Sequence, residues 1–253
     1  MNSFQEIIPS EPFSLFIKSI LIFKNYEKPV ITKLPFFADG YPGFLFHKTD
    51  GGLTVIPHQK EMPDLFIYGQ TITPIELEIK GSYTVIIFQL YPFVLKSFYS
   101  IDPQNINDDC YIPDNIKEVL NNLRSSGTID ECLELIKTYL LNNFEKKKDS
   151  LDFKIRRALE IIIAGNGTEN IGQIAKELDF NIRTFERRFL AETGLSPKQF
   201  AKIIQFQTSL QQLNSKDYNK LSDIVYENGF SDQSHFIRVF KAFTGKTPKS
   251  YSS

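Results

Sequence analysis

The sequence predicts an α+β protein. It combines a β-rich, jelly-roll or cupin-like amino-terminal domain that also carries helices with an all-α domain built from two helix-turn-helix units. Three observations predict it. Residues 75–80 (Ile-Glu-Leu-Glu-Ile-Lys) alternate apolar and charged side chains, the period of a half-buried strand. Between residues 116 and 140 the apolar side chains recur instead at three-and-four spacing, the period of a helix. Roughly the last eighty residues contain one pattern twice.

Residues 11 to about 100 read as short strands. Beside the alternating segment, residues 83–88 (Tyr-Thr-Val-Ile-Ile-Phe) are β-branched and aromatic and suit a more buried strand. Turn residues punctuate the region at Asp39-Gly40-Tyr41-Pro42-Gly43 and Asp50-Gly51-Gly52. Short strands separated in this way suggest a sandwich or small barrel.

From about Asp114 the texture changes. Ile116, Val119, Leu120 and Leu123 mark one amphipathic helix, and Ile129, Leu133, Ile136 and Leu140 a second, with a break at Ser125-Ser126-Gly127. Residues 145–150 (Glu-Lys-Lys-Lys-Asp-Ser) are charged and offer nothing to a core, so a solvated linker is expected there. The division is then 1–110 for the β-rich domain, 111–149 for a helical hairpin and linker, and 151–253 for the double helix-turn-helix domain.

With 253 residues, 42% of them apolar, the chain can form two ordinary domains without crosslinks. Its net charge is −1, but unevenly spread. Residues 1–149 hold 14 Lys+Arg against 19 Asp+Glu, and residues 150–253 hold 15 against 11. A basic second part suggests that only this part meets a polyanion. Cys110 and Cys132 form no framework and no metal spacing, and fit a reducing compartment as free thiols. The first residues lack a basic stretch followed by an apolar block, and no apolar run approaches ~18 residues. A cytoplasmic protein without a membrane span is expected.

The helical domain opens with a helix over about 151–163, closed by Gly165-Asn166-Gly167. In the repeat, Ile174-Ala175-Lys176-Glu177-Leu178-Asp179-Phe180 is answered fifty residues on by Ile224-Val225-Tyr226-Glu227-Asn228-Gly229-Phe230. Phe185, Arg187, Phe189, Thr193, Gly194, Pro197 and Phe200 are answered fifty-one residues on by Phe236, Arg238, Phe240, Thr244, Gly245, Pro248 and Tyr251. Each copy reads as a short helix, a tight turn and a longer basic helix. A helix of about 17 residues, ~25 Å long, joins the copies. Ala175 sits where the first pair of helices should cross. Gly229 sits in a turn that needs a positive φ, a demand that Asp179 meets less readily in the first copy.

A helix that enters the major groove must be apolar on one face and polar on the other. In the first copy Asn181 is placed to cap, Ile182, Phe185 and Phe189 to pack inward, and Arg183, Glu186, Arg187 and Leu190 to face out. In the second, Ser231 or Asp232 caps. Phe236, Val239 and Phe240 pack inward, and Gln233, Ser234, Ile237, Arg238 and Lys241 face out. Arg suits guanine O6 and N7, Gln suits adenine N6 and N7, and Ile237 suits a thymine methyl. Glu186 either accepts from cytosine N4 or pairs along its own helix. Arg188, rotated from Arg187, suits a phosphate or solvent.

Residues 224–251 closely resemble the signature of the AraC/XylS family of bacterial transcription regulators, and the likeness extends, less strongly, over 151–253. The resemblance implies a seven-helix DNA-binding domain, transcription activation or repression, and a sensing or dimerising amino-terminal domain. By it, Arg183, Thr184, Glu186 and Arg187 lie where a first recognition helix meets bases. Gln233, Ser234, Ile237 and Arg238 lie where a second does. Asn181, Arg188, Lys202 and Lys241 are placed at the DNA backbone. The implied partners are double-stranded DNA, RNA polymerase, a small-molecule effector and a second copy of the chain, with no cofactor. One departure is Gln205, which stands in the connecting helix where many members carry Arg or Lys, so that a backbone or packing contact is either missing or replaced, with Lys202 as the candidate replacement.

Plainer readings stand beside these. A doubled helix pair also builds protein-interaction modules, and a cupin-like barrel can be an enzyme with a helical appendix. His47 and His58 lie eleven residues apart without the His-x-His pair and third ligand that a barrel metal site needs, so no metal is expected. His235 is placed at a backbone or phosphate contact. No nucleophile, base and orienting group present themselves as a set, and no phosphate loop is present.

Overall fold

A computed structural model describes residues 3–27, 31–113 and 116–252. Asp114, where the helical texture begins, lies outside the described residues. Two compact units are present. The first comprises Met1–Phe36, Tyr41–Gln70 and Ile75–Leu151, and the second Asp152–Ser253 together with Phe37–Gly40 and Thr71–Pro74.

In the first unit the strands are β1 (Ser3–Ile7), β2 (Ile17–Asn25), β3 (Ile31–Phe36), β4 (Gly43–Thr49), β5 (Leu53–Ile56), β6 (Lys60–Glu61), β7 (Leu65–Tyr68), β8 (Ile75–Lys80), β9 (Tyr83–Leu90) and β10 (Cys110–Tyr111). They form an antiparallel sheet in the order β1-β2-β9-β4-β7-β10 and another in the order β3-β8-β5-β6. A shared core holds Leu45, Phe66, Tyr68, Val85 and Ile87 of the larger sheet and Leu53, Leu77 and Ile79 of the smaller. Two facing antiparallel sheets are the sandwich that the turn spacing suggests.

The two strands singled out by sequence differ as their patterns demand. On β8, Leu77 and Ile79 are buried while Glu76 and Glu78 lie on the other side, where both reach Lys33 of β3 (3.0 and 3.8 Å). On β9, lying between β2 and β4, Val85, Ile86, Ile87 and Phe88 are all buried, so neither face is left to water. Helices cover the second face. They are α1 (Val94–Tyr99), α2 (Lys117–Ser125) and α3 (Ile129–Lys147). Phe144 of α3 stacks on Phe16 at 4.8 Å, and Tyr139 meets Phe44 of β4. Arg124 of α2 is fixed to Asp64 (2.7 Å).

Residues 145–149 are exposed, as expected of a solvated stretch, and the stretch is helical. α3 runs to Lys147 and continues as a 3-10 turn over Lys148–Ser150. Phe144 anchors the helix, and the Lys and Glu that follow are good helix formers despite having no core to join.

The second unit is helical: α4 (Phe153–Ala164), α5 (Ile171–Glu177), α6 (Ile182–Thr193), α7 (Pro197–Ser215), α8 (Leu221–Glu227), α9 (Gln233–Thr244) and α10 (Pro248–Ser252). The repeat in sequence is a repeat in space. Phe180, Phe185, Phe189 and Phe200 follow one another at centroid spacings of 5.9, 5.8 and 5.8 Å. Phe230, Phe236, Phe240 and Tyr251 do the same at 5.0, 5.7 and 5.4 Å. The ends of α6 and α9 close alike. The Thr193 hydroxyl lies 2.8 Å from the Phe189 carbonyl and accepts from Leu195 N–H, as the Thr244 hydroxyl lies 2.8 Å from the Phe240 carbonyl and accepts from Lys246 N–H.

The helix starts follow from capping side chains. Asn181 accepts from Thr184 N–H at 2.9 Å and starts α6. Asp232, rather than Ser231, accepts from His235 N–H at 2.7 Å and starts α9. The turns inside the two units share a left-handed residue, with φ +56° at Asp179 and +69° at Gly229. Asp179 therefore bears the strain that the sequence pattern assigns to it. One inward assignment is overturned: Ile182 is 42% exposed, because at the first position of α6 it precedes the turn that Phe185 buries.

Truncating Phe240, fully buried between Phe236, Phe206 and Tyr251, should cost about 3–5 kcal/mol, seen as a lowered denaturant midpoint for Phe240→Ala. The N–H of His235, above all, holds the Asp232 carboxyl below its usual range. A folded-state value below the unfolded one gives stability that is complete above the ordinary carboxylate range and lost as pH falls through the lowered value. Melting from about pH 6 to about pH 3 should therefore fall more for the natural chain than for Asp232→Asn, which caps without titrating.

Candidate nucleic-acid interface

Seven arginines occur in the chain, and what holds each of them separates two kinds. Arg124 is paired with Asp64, Arg156 and Arg157 share Glu160 (3.3 and 3.1 Å), and Arg188 is bound by Asp152 at 2.5 Å. Arg183, Arg187 and Arg238 have no carboxylate within ion-pair reach among the described residues, and all three are exposed. These three lie on α6 and α9, opposite the buried Phe185–Phe189 and Phe236–Phe240 rows. Holding an unpaired guanidinium in solvent costs little. It leaves the full fork of donors free for an incoming acceptor.

Around them stand the other sequence-predicted residues. On α6 Thr184 and Glu186 are half-buried, and Glu186 has no pairing partner along its helix. On α9 Gln233 and Ser234 are exposed and Ile237 is half-buried. Lys202 of α7 and Lys241 of α9 are exposed and have no ion-pair partner among the described residues. The structure thus brings Arg183, Thr184, Glu186 and Arg187 together on one helix and Gln233, Ser234, Ile237 and Arg238 on the other.

Two of the residues expected at the DNA backbone are otherwise engaged. The Asn181 side-chain oxygen is used by the α6 cap. The guanidinium of Arg188 is held by Asp152, itself the cap of α4, and sits over the Phe180 ring at 5.0 Å. Arg188 is a brace between α6 and α4, not a free cation. No local spacing reveals this bond, because Asp152 lies 36 residues from Arg188 and the sequence places it inside the opening helix. His235 lies against Ser231 Oγ at 3.2 Å and meets the Phe230 ring edge-on.

Gln205 resolves differently from its expected replacement. It is buried, and its Nε2 donates to the Asn228 carbonyl at 2.7 Å. Its contact is internal, while Lys202 of the same helix is exposed.

In the first unit, a cavity of about 650 Å³ lies between the outer face of the larger sheet and the start of α3. Ile22, Phe46 and Leu133 supply apolar lining, Lys24 and Lys48 face each other across Thr84, and Asp50 and Asp130 lie at the same cavity. Lys48 Nζ donates to the Ser126 carbonyl (2.6 Å) and Asp50 accepts from Ser82 Oγ (2.5 Å). His47 is buried nearby on β4, and burial lowers its affinity for a proton against the pull of Asp64. Among the described residues no helix is long and apolar enough to cross a membrane.

Residues 174–253 match a helix-turn-helix domain family (HTH_18), and residues 5–111 match a domain of unknown function (DUF6597). The chain is similar to the TCP pilus virulence regulatory protein of Vibrio cholerae serotype O1, with 25% identity over 142 residues, 54% of this chain and 51% of that protein. It is also similar to the transcriptional activator RhaS of Escherichia coli, with 26% identity over 80 residues, 32% of this chain and 28% of that protein. The chain thus spans about half the length of the first of these curated relatives and under a third of the second. In fold it resembles ToxT from Vibrio cholerae, with a TM-score of 0.50 and 18% identity, covering 91% of this chain and 97% of that one. A second ToxT structure, bound to an unsaturated fatty acid, gives 0.50 and 14%, covering 92% and 94%. The two curated relatives are named as regulators of virulence and of transcription. Residues 174–253 thus carry a doubled helix-turn-helix whose two longer helices hold the arginines without an ion-pair partner among the described residues, and this domain is similar to those of transcription regulators of the AraC/XylS type.

Proposed function

We propose that this chain regulates transcription by binding double-stranded DNA in a sequence-specific manner, with α6 and α9 entering two successive major-groove segments. The observation that carries this reading is the distribution of arginines, four held in ion pairs and three on these two helices with no carboxylate within ion-pair reach among the described residues. α7, 19 residues and ~28 Å long, is of the order of the ~34 Å between groove segments on one side of a duplex.

The two reading faces are not copies of each other. Arg187 is matched by Arg238, but Ile182, Arg183 and Glu186 are matched by Gln233, Ser234 and Ile237. The site read by one chain is therefore asymmetric, with guanine favoured opposite Arg187 and Arg238, and adenine opposite Gln233. Thr184 adds a hydroxyl on the α6 face. Lys202 and Lys241 supply phosphate contacts, as does the exposed amide of Asn181, while Arg188 serves the fold. Activation would bring RNA polymerase to the bound promoter, and the cytoplasm is where such a protein acts.

The amino-terminal unit is assigned sensing and dimerising roles. The groove between α2 and α3, lined by Val119, Leu135, Thr138 and Tyr139, is the seat assigned to a second copy. The lysine-flanked cavity beside α3 is the seat assigned to an effector. An amphipathic carboxylate, the class bound by one of the fold neighbours, is the first to try there. An effector acts only by binding one arrangement of the protein better than another.

In gel-shift titrations Arg187→Ala and Arg238→Ala should each weaken binding to a selected site by about ten- to a hundredfold, ~1–3 kcal/mol, with unchanged melting curves. Unchanged footprints in both variants would count against the assignment. Lys202→Ala should weaken all duplexes alike and reduce the salt dependence by about one counterion. An unsaturated fatty acid should raise the melting temperature of the full chain and do so less for Lys48→Gln; equal shifts in both proteins would remove the lysine from the effector site.

A further inference from the structure

We infer that Gln205 is a positioning residue that sets the separation of the two recognition helices, and so the spacing of groove segments that the chain accepts. The inference rests on the two-helix reading of DNA above. Gln205 lies within α7, the helix that joins the units, and both units are built onto it at this residue. On one side, the turn between α4 and α5 lays Gly167 against α7. A β-carbon on Gly167, whose φ is +73°, would stand 2.1 Å from the Ala201 carbonyl oxygen and 2.8 Å from the Gln205 nitrogen. On the other side, Gln205 Nε2 donates to the carbonyl of Asn228, in the turn between α8 and α9, at 2.7 Å.

Asn228 extends the network. Its Nδ2 donates to Gln212 Oε1 at 2.7 Å and to the Ile224 carbonyl at 2.9 Å, and Gln212 Nε2 donates to the Asp217 carbonyl at 2.9 Å and to Glu227 Oε2 at 2.5 Å. The two turns also touch. A β-carbon on Gly229 would stand 3.0 Å from Thr168 Cγ2 and 3.5 Å from Gln205 Nε2. Gln205 and Asn228 are both buried, so water cannot replace either partner without opening the packing. A long cationic side chain at this position would have to leave that pocket for solvent. The amide stays inside and ties the turn before α9 to the same stretch of α7 that receives the turn before α5.

The test uses the full chain and a duplex that it selects from a random pool, with footprinting to locate the protected segments. Base pairs are then inserted between those segments. The natural chain should lose about tenfold in affinity or more per inserted pair. Gln205→Met, similar in length but without a donor, should flatten that profile to within about threefold while retaining a cooperative melt. Gln212→Ala, at a half-buried position, should flatten it in the same direction, and it decides the matter if Gln205→Met does not fold. A profile as steep as the natural one, or a loss equal at every spacing, would overturn the inference. A single protected segment with the natural chain would instead overturn the two-helix reading, while two segments indifferent to insertion would sink only the role of Gln205.

Discussion

Both helix-turn-helix units depend on the same short run of buried rings. Phe185 and Phe189 in one, and Phe236 and Phe240 in the other, are wholly buried on the inner faces of α6 and α9. Each row is continued by a ring at the preceding turn and by another on the helix that follows. Burying such rings stabilises each unit by several kcal/mol, far more than the hydrogen bonds of a cap or turn contribute. The rings also fix rotation. With phenylalanines at i and i+4 pressed inward, the residues between and beyond them have only the outer face left. The exposure of Arg183, Arg187 and Arg238 is thus a consequence of packing on the far side of the same helices.

Within this common frame the units have diverged where they meet the rest of the domain. Arg188, tied to Asp152 and stacked on Phe180, occupies the place that Val239 fills in the second copy, and Val239 is buried. The first unit is braced to α4 by a partly exposed ion pair with a ring beneath it, and Lys154 adds a second cation over the same Phe180 ring at 5.1 Å. The second unit is held to α7 by a buried amide network and by Phe206 against Phe240 and Phe243. An exposed ion pair contributes modestly and is screened by salt. The buried amide bond from Gln205 to the Asn228 carbonyl is neutral and is not screened.

Much of this was legible in the sequence because the signals were periodic. The alternation at residues 75–80 gave β8, the duplicated pattern gave the paired units, and the capping side chains gave the starts of α6 and α9. What escaped depended on partners distant in sequence. Ile182 fits an inward helical period, yet at the first position of α6 it has no preceding turn to pack on, and it stays exposed. Residues 145–150 lack core side chains, but helix formation there needs only the anchored Phe144 and good local propensity. Gln205 stood out only as a departure from the family pattern. Its partner at Asn228 is 23 residues away across a turn, and no local spacing reveals such a bond.

These differences bear on how affinity and geometry are divided. Contacts from the free guanidinium and ammonium groups to a polyanion release counterions, and so they weaken as salt rises. The relation between α6 and α9 is carried mainly by rings and buried amides, which salt weakens far less than it weakens the Arg188–Asp152 pair that braces α6 to α4. On the proposed reading, salt therefore acts more on how tightly the two helices hold DNA than on their separation. A regulator of the proposed kind would keep nearly the same spacing requirement across conditions that change its affinity many-fold. Discrimination among sites then rests on two independent terms, the chemistry presented by each outer face and the distance fixed beneath them.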